Sequence, residues 1–181
     1  CSNLCNGMSN LVSFNASNLS VSRTTDMTMM FMGCGKLTDV DVSQWDTSNV
    51  TSLFATFANC SSLVAPAMEN WDTSNVTTFR ALFSGCVKLG DMDVTNWDTS
   101  SATAMNNMFN GCASMKNLVG TGAWNTSKVL DMGQMFAGCT GLVTVDILGP
   151  VTSMGDYAFD GCSKLTTVTI AEGCTELEDY T

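Results

Sequence analysis

The tetrapeptide Phe31-Met-Gly-Cys34 returns five more times along the chain, as Phe57-Ala-Asn-Cys60, Phe83-Ser-Gly-Cys86, Phe109-Asn-Gly-Cys112, Phe136-Ala-Gly-Cys139 and Phe159-Asp-Gly-Cys162. The first four of these cysteines are each 26 residues apart, and the last two follow after 27 and 23 residues. A fixed period of this length indicates stacked repeats, because one unit is too short to bury its own apolar face. The sequence therefore predicts a solenoid whose core is shared between neighbouring coils.

Each repeat carries two hydrophobic periodicities. The first ends in strict alternation and predicts a short strand, with members at Leu37, Val40, Val42, then Leu89, Met92, Val94, then Leu142, Val145, Ile147. The second begins near Val50 and has helical spacing, clearest at Val129, Met132, Met135 and Phe136. Between them lies Trp-Asp-Thr-Ser, which predicts a turn and a helix N-cap. We expect the strands to align into one continuous parallel ribbon.

Composition excludes several classes of function. The chain has 181 residues, of which 45% are hydrophobic and 13% charged, and its net charge is -10. Such a surface repels phosphate backbones and anionic membranes, so we expect no nucleic-acid partner. No apolar run is long enough for a transmembrane segment. The sequence opens at Cys1 without an initiator Met or a signal peptide, and we interpret it as a processed or incomplete piece of a longer protein.

These motifs resemble those of known surface proteins. The spacing of Leu37, Val40 and Val42 is similar to the strand core of a leucine-rich repeat. Residues 154–170, MGDYAFDGCSKLTTVTI, closely resemble the 23-residue repeat of BspA-like surface proteins. The 26-residue units built on WDTSNVT and MFxGC resemble the related repeat of mycoplasma-type surface lipoproteins. One departure is a tryptophan column in the slot that holds Asn or Cys in the general pattern, at Trp45, Trp71 and Trp97, with Trp124 as the variant copy.

The resemblance implies a fold and a location. We expect an α/β repeat solenoid of leucine-rich-repeat-like right-handed coils, with one short parallel strand plus a short helix per 23–27-residue repeat. The predicted organisation is a degenerate N-terminal coil or cap at 1–26, a six-repeat solenoid at 27–170, and the start of a further coil or a C-terminal cap at 171–181. The family implies extracellular or cell-surface placement and a role in adhesion or recognition, and it carries no catalytic residues.

The six repeated cysteines predict a ladder of buried free thiols: Cys34, Cys60, Cys86, Cys112, Cys139 and Cys162. Side chains stacked in one column point in parallel, which is the wrong geometry for a disulfide. The chain has no His and no closely spaced cysteine pair, so we expect no metal site and no cofactor. Cys1 is open to two interpretations, a local bridge to Cys5 or a lipidated first residue; Cys174 lies outside the column.

Carboxylates form two groups. The column at Asp46, Asp72 and Asp98 predicts helix capping, with calcium binding between coils as the alternative. The second group is expected to face outward from the strands: Asp39, Asp41, Asp91, Asp93, Thr144, Asp146, Thr167 and Thr169. This set is either a solvated surface or a contact face for a basic or sugar-bearing partner. A third column, Thr47, Thr73, Thr99 and Thr126, is a weak candidate for an ice-ordering hydroxyl array.

Six asparagines match the acceptor pattern for N-glycosylation, either as true sites or through the Ser/Thr/Asn-rich composition: Asn15, Asn18, Asn49, Asn59, Asn75 and Asn125. Without His, and without paired carboxylates outside the repeats, we expect no enzyme activity. The sequence favours a non-catalytic surface scaffold for protein or glycan recognition. The alternative is a structural component that self-assembles through its terminal coils into a filament or a larger surface assembly.

Overall fold

The computed structural model describes residues 1–147, 149, 151, 153–170 and 172. Six short strands occur in these residues: β1 Ser13–Phe14, β2 Asp39–Val40, β3 Met92–Asp93, β4 Leu118–Val119, β5 Thr144–Ile147 and β6 Thr167–Ile170. They pair in parallel as β1 with β2, β3 with β4, and β5 with β6. The strands predicted around residues 37–42, 89–94 and 142–147 therefore form, and each pairs with the corresponding segment of an adjacent repeat.

The strand ribbon is not continuous, contrary to expectation. The repeat after Cys60 carries Ala65, Pro66 and Ala67 at the positions of β2 and β3, and these residues form no strand. Proline has no backbone N–H and cannot donate to a sheet ladder. Pro66 therefore interrupts the ribbon between β2 and β3, although the Gly90 N–H still bonds to the Val64 carbonyl at 2.9 Å.

The prediction of a short helix in each repeat was wrong. The described residues contain no α-helix, and their one helical segment is the 3-10 turn Thr121–Ala123. Two residues of each repeat instead have positive φ, for example Met29 at 54° and Gly33 at 75°. Each is the third residue of a type II turn, closed by the Met30 N–H on the Met27 carbonyl at 3.2 Å in the first case. The glycine before each cysteine is left-handed as expected, but it ends a turn rather than a helix.

The turn segments carry the continuous ladder of the molecule. Alternate N–H groups, at Met27, Met29 and Phe31, donate to carbonyls of the next repeat over 2.8–3.0 Å. Parallel bridges extend this ladder through five successive repeats, at Asp26, Ser52, Thr78, Ala104 and Asp131. Backbone hydrogen bonding between repeats is therefore most regular in the segment for which the sequence predicted a helix.

Aromatic stacking runs along the core. The rings of Phe31, Phe57, Phe83, Phe109, Phe136 and Phe159 stack in order, with centroids 5.4–5.8 Å apart. Residues 1–26, expected to be a degenerate coil, also stack on their neighbour: the N–H groups of Cys5 and Gly7 donate to the carbonyls of Met30 and Met32 at 2.7 Å. Of the predicted terminal segment 171–181, all but Glu172 lies outside the described residues.

Candidate interaction surface

All eight residues predicted to face a partner are exposed, and the short strands determine their arrangement. In one column, Asn117 pairs with Thr144 and Thr144 pairs with Thr167. In the next, Asp93 pairs with Val119, and Asp146 pairs with Thr169. We define the strand face as Asp91, Asp93, Asn117, Val119, Thr144, Asp146, Thr167 and Thr169.

The structure separates the other two predicted residues from this surface. Asp39 lies on β2, opposite Ser13 of β1, and Asp41 follows directly after β2. The interrupted segment around Pro66 lies between β2 and β3, where the alanines on either side supply no polar side chain. A groove of about 500 Å³ is found there, lined by residues 65–69 and 91–93. The predicted continuous acidic surface is therefore divided in two.

Two members of the strand face were missed by the sequence analysis. Asn117 donates its backbone N–H to Asp91 Oδ1 at 2.9 Å and its side-chain Nδ2 to Asp91 Oδ2 at 2.7 Å. Val119 is 55% exposed between the two acidic positions of its column. These residues occupy the same register as Asp91 and Asp93, so aligning the repeats would have found them. Asp91 itself is held by its neighbour and orders the surface.

Local hydrogen bonds keep these carboxylates ionised. The hydroxyl and backbone N–H of Ser43 donate to Asp41 Oδ1, at 2.7 and 3.1 Å, and lower the pKa of that carboxyl. Hydrogen bonds from Thr95 lower the pKa of Asp93 in the same way. The Asn117 side chain, its backbone N–H and then Lys116 lower the pKa of Asp91. At neutral pH these three carboxylates are therefore charged, Asp91 and Asp93 on the strand face and Asp41 outside it.

The 27-residue repeat adds a second groove to the strand face. Its one extra residue falls within the segment of the 3-10 turn Thr121–Ala123, which is preceded by Gly120 at φ 98°. A Cβ at Gly120 would lie 2.3 Å from the Thr95 backbone nitrogen, so only glycine fits this close approach. The turn borders a groove of about 330 Å³ that also includes Thr144 and Asp146. The insertion thus shapes the surface beside two of the predicted residues.

The cysteine column is structural in its contacts. Each of the six thiols donates to a carbonyl of the preceding repeat, as Cys60 Sγ does to the Phe31 oxygen at 3.0 Å. Burial raises the pKa of Cys60 and Cys139 to about 12, and it raises the pKa of Cys86 and Cys112 well above the usual range. A thiol that stays protonated is a poor nucleophile and a poor metal ligand.

The remaining cysteines differ. Cys1 and Cys5 are both free, so the local bridge considered between them does not form. Cys1 is exposed, with its Sγ 3.3 Å from the Thr24 hydroxyl. Cys174 lies outside the described residues, and lipidation of Cys1 stays a prediction.

The Asp column caps turns rather than helices. Asp46 Oδ1 accepts from the Ser48 N–H at 3.2 Å and from its hydroxyl at 2.6 Å. Asp72 and Asp98 accept the equivalent backbone N–H bonds. In the part of the chain that the structure describes, no three Asp, Glu or Cys side chains are grouped to hold a metal ion.

The threonine column is buried, which argues against ice ordering. Thr47 and Thr73 donate their hydroxyls to the carbonyls of Asp72 and Asp98 in the next repeat, at 3.0 and 2.9 Å. Hydroxyls used inside the molecule cannot form a surface lattice. The exposed hydroxyl column is a different one, which the sequence analysis missed: Thr51, Thr77 and Thr103.

The four tryptophans are buried, but they do not form one uniform stack. Trp45 stacks on Trp71 with centroids 6.1 Å apart, whereas Trp97 stacks on Phe79 at 5.8 Å. Trp71 Nε1 donates to the Val42 carbonyl at 3.1 Å and Trp97 Nε1 to the Met68 carbonyl at 3.4 Å. The Nε1 atoms of Trp45 and Trp124 have no hydrogen-bond partner among the described residues.

All six glycosylation candidates are exposed, but their side chains are used differently. Asn49 and Asn75 donate Nδ2 to the carbonyls of Ser22 and Ser48, both at 2.8 Å. Asn15 and Asn125 instead accept through Oδ1, from Ser17 and Ser127. Asn18 is exposed, and Asn59 occupies a left-handed position at φ 60°.

Comparison with known proteins places the repeats in context. A crystal structure of a leucine-rich repeat protein from Bacteroides ovatus is similar, with 18% sequence identity and a TM-score of 0.45. The alignment covers 83% of this chain and 42% of that protein, so this chain spans less than half of it. No curated protein matches the sequence. Among the described residues, none of the helical structure is long and apolar enough to cross a membrane.

One family model matches the chain twice, over residues 2–69 and 54–147. The two matches together cover most of the sequence and include five of the six Phe-x-x-Cys motifs. The chain therefore belongs to the repeat family described as "Mycoplasma protein of unknown function, DUF285".

Proposed function

We propose that this chain is a non-catalytic scaffold, located outside the cell or at its surface, that recognises a protein or glycan partner through the strand face. In this proposal the repeats form a leucine-rich-repeat-like solenoid of the BspA type. The surface location rests on the resemblance of residues 27–170 to surface-protein repeats. The negative charge of the face favours a protein partner with a basic surface.

The observation that carries the proposal is the division of labour within each repeat. The recurring Phe, Cys, Trp and Thr columns contact neighbouring repeats and are buried, apart from Phe159 and Cys162, which are partly buried. The strand positions present carboxylates, an amide and hydroxyls to solvent, and these residues differ from one repeat to the next. A surface that varies on a fixed framework is suited to recognition, because its chemistry changes without altering the core.

Charge also supports a basic partner. Three strand-face carboxylates, Asp91, Asp93 and Asp146, lie on β3 and β5 or at their edges. The full chain has 17 acidic and 7 basic residues. A partner with Lys and Arg on its surface would be steered to such a face, with an association rate that falls as salt is added.

The test uses a fluorescent lysine-rich peptide, titrated with the protein at low and at physiological salt. The variant Asp93→Ser/Asp146→Ser removes two strand-face charges, and serine preserves local turn hydrogen bonding at position 93. The control Asp156→Ser/Asp160→Ser changes net charge by the same amount at two exposed positions away from the strands. We expect roughly tenfold weaker binding for the first variant and little change for the control. Equal losses in both would show a net-charge effect and contradict a specific face.

A structural role is the second candidate, and one observation favours it. Among the described residues β6 pairs only with β5, and its Val168 is 37% exposed. An exposed strand edge is a template for pairing with another chain. Sedimentation over a wide concentration range separates the two functions: a recognition module stays monomeric, whereas an assembly component lengthens with concentration.

A further inference from the structure

The first left-handed position of each repeat changes character along the molecule. The N-terminal coil has Asn3 there, and the next three repeats have Met29, Ala55 and Ala81, which are apolar. In the last three repeats it is occupied by Asn107, Gln134 and Tyr157. This column lies on the turn segments, away from the strand face. The change is not required by the fold, because the same backbone conformation forms with both sets of residues.

A cavity of about 400 Å³ lies at these changed positions. We define the amide groove by its lining residues: Asn110, Gln134, Ala137, Gly138, Tyr157 and Asp160. A smaller cavity of about 240 Å³ adjoins it, shares Gln134 and adds Asn107 and Asp156. At the position of Asn110 and Asp160, earlier repeats carry Met32, Ala58 and Ser84. The N-terminal coil has Asn3 and Asn6 at the positions of Asn107 and Asn110. The polar groups therefore lie toward the two ends of the molecule, and the cavity with Tyr157 and Asp160 lies in the final repeats.

Two groove residues are held in an unfavourable backbone conformation. Gln134 has φ 56° and Tyr157 has φ 57°. Positive φ is uncommon for residues other than Gly, Asn and Asp, and a bulky side chain there is an outlier. The repeat imposes this conformation, because Met29, Ala55 and Ala81 share it, and it holds the two side chains at fixed positions on the turn. Gly or Asn would be more favourable at both positions for stability alone.

The lining chemistry selects the ligand class. Asn110 and Gln134 each offer hydrogen-bond donors and an acceptor on one planar group, and Asp160 adds acceptors. Tyr157 is 38% exposed and supplies an aromatic surface with a polar tip. The lining includes no Lys or Arg, so an anionic ligand would be repelled by Asp160 without compensation. Hydroxyl groups on an uncharged ring with an apolar side match this combination.

We propose that the amide groove binds a neutral saccharide. Tyr157 contacts the apolar side of a sugar ring, and the side chains of Asn110, Gln134 and Asp160 exchange hydrogen bonds with its hydroxyls. Since this groove and the strand face lie on different segments, the proposal does not depend on the proposed function.

The experiment probes the full chain with a printed array of neutral, sialylated and sulfated oligosaccharides. The strongest neutral ligand is then titrated by ligand-observed NMR. We expect binding of neutral oligosaccharides, with transfer of saturation from aromatic protons to the sugar. An array that yields no neutral ligand, or only sialylated and sulfated ones, would overturn the proposal.

Variants locate the site. Tyr157→Asn removes the ring while keeping a residue that tolerates positive φ, and it should weaken binding at least tenfold. Gln134→Asn retracts the amide by one methylene and should weaken binding several-fold, which keeps the test informative if the Tyr157 variant misfolds. The matched control is Ala81→Asn, the same column in an earlier repeat, which should leave binding unchanged. Full binding by both groove variants would refute the assignment.

The two sites are separated by a reciprocal measurement. Asp93→Ser/Asp146→Ser should leave saccharide binding intact, and Tyr157→Asn should leave binding of the lysine-rich peptide intact. If the peptide fails to bind while the saccharide binds, only the strand-face function is lost. Loss of saccharide binding in the strand-face variant would contradict a separate groove.

Discussion

Removing one ring from the middle of the phenylalanine stack should destabilise the protein far more than removing one from its end. Phe83 is fully buried, with its centroid 5.7 Å from that of Phe57 and 5.7 Å from that of Phe109. The interplanar angles are 6° and 17°. Phe159 is only partly buried and stacks on Phe136 alone among the described rings, at 5.5 Å.

The magnitude follows from these contacts. A buried Phe→Ala change costs about 3–5 kcal/mol, from lost transfer free energy plus the cavity that remains. Phe83→Ala should lie near the top of that range, at about 4–5 kcal/mol, because both faces of the ring lose an aromatic neighbour. Phe159→Ala loses one neighbour and less buried area, so we expect about 2–3 kcal/mol.

Urea unfolding followed by tryptophan fluorescence measures both variants against the parent chain. A double-mutant cycle on Phe57 and Phe83 isolates the ring contact, with an expected coupling of about 1 kcal/mol. Phe83→Leu is the volume control and should cost less than half of the Ala change. Equal losses at positions 83 and 159, or zero coupling in the cycle, would refute the stacked-core reasoning.

Three further predictions rest on other columns. The folded pKa values of the buried thiols exceed that of free cysteine, so the unfolded chain loses these protons first as pH rises. The free energy of unfolding should therefore be constant between about pH 6 and 8.5 and then fall by about 1.4 kcal/mol per pH unit for each thiol up to its folded pKa. Cys86→Ala should reduce that slope, and an unchanged slope would contradict the reasoning. Trp71→Phe should cost about 1 kcal/mol more than Trp45→Phe in the same assay, since only Trp71 loses a hydrogen bond; equal costs would contradict it. Gly111→Ala, at φ 76°, should lower the free energy of unfolding by about 1–2 kcal/mol, whereas Ala81→Gly, at φ 53°, should leave it unchanged or raise it. A loss at both positions would show that the conformation is not the controlling factor.

The period and the buried positions could be predicted from the sequence because they depend only on which side chains recur. A residue repeated at 26-residue intervals meets its own copy in a stacked array, so Phe57 and Cys60 had to share an environment with Phe83 and Cys86. The strands were predictable for a similar reason, since alternation survives in a segment of only a few residues.

The helix prediction was wrong because a helix and a pair of turns produce the same burial pattern. Met27, Met30, Phe31 and Cys34 are all buried, at the i, i+3, i+4 and i+7 spacing of a helix face. Two successive type II turns, each of four residues, direct the same positions inward. Gly33 did not distinguish the two, because a left-handed glycine ends a helix as readily as it occupies the third position of a turn. The non-glycine residue four positions earlier gave no such signal, since Met29 adopts positive φ only where the next repeat accepts its N–H bond.

The break in the strand ribbon shows a limit of averaging over repeats. A consensus of six copies hides the single repeat that carries proline at the strand position. Pro66 removes one donor, yet its effect is to divide an acidic surface and open a groove beside Asp91 and Asp93. The residue that departs from the consensus therefore changes the surface more than the residues that define it.

Throughout the molecule, recurring positions form the framework and variable positions form the proposed binding surfaces. Side chains in the recurring columns are hydrogen-bonded to neighbouring repeats. The Cys60 thiol donates to the Phe31 carbonyl, and the Thr47 hydroxyl donates to the Asp72 carbonyl. A side chain already bonded within the stack has little left for a ligand. Positions whose identity changes between repeats include the strand face, which is exposed, and the exposed Gln134, Tyr157 and Asp160 of the amide groove. Under both proposals, binding specificity therefore arises from differences between repeats, and these two surfaces carry such differences.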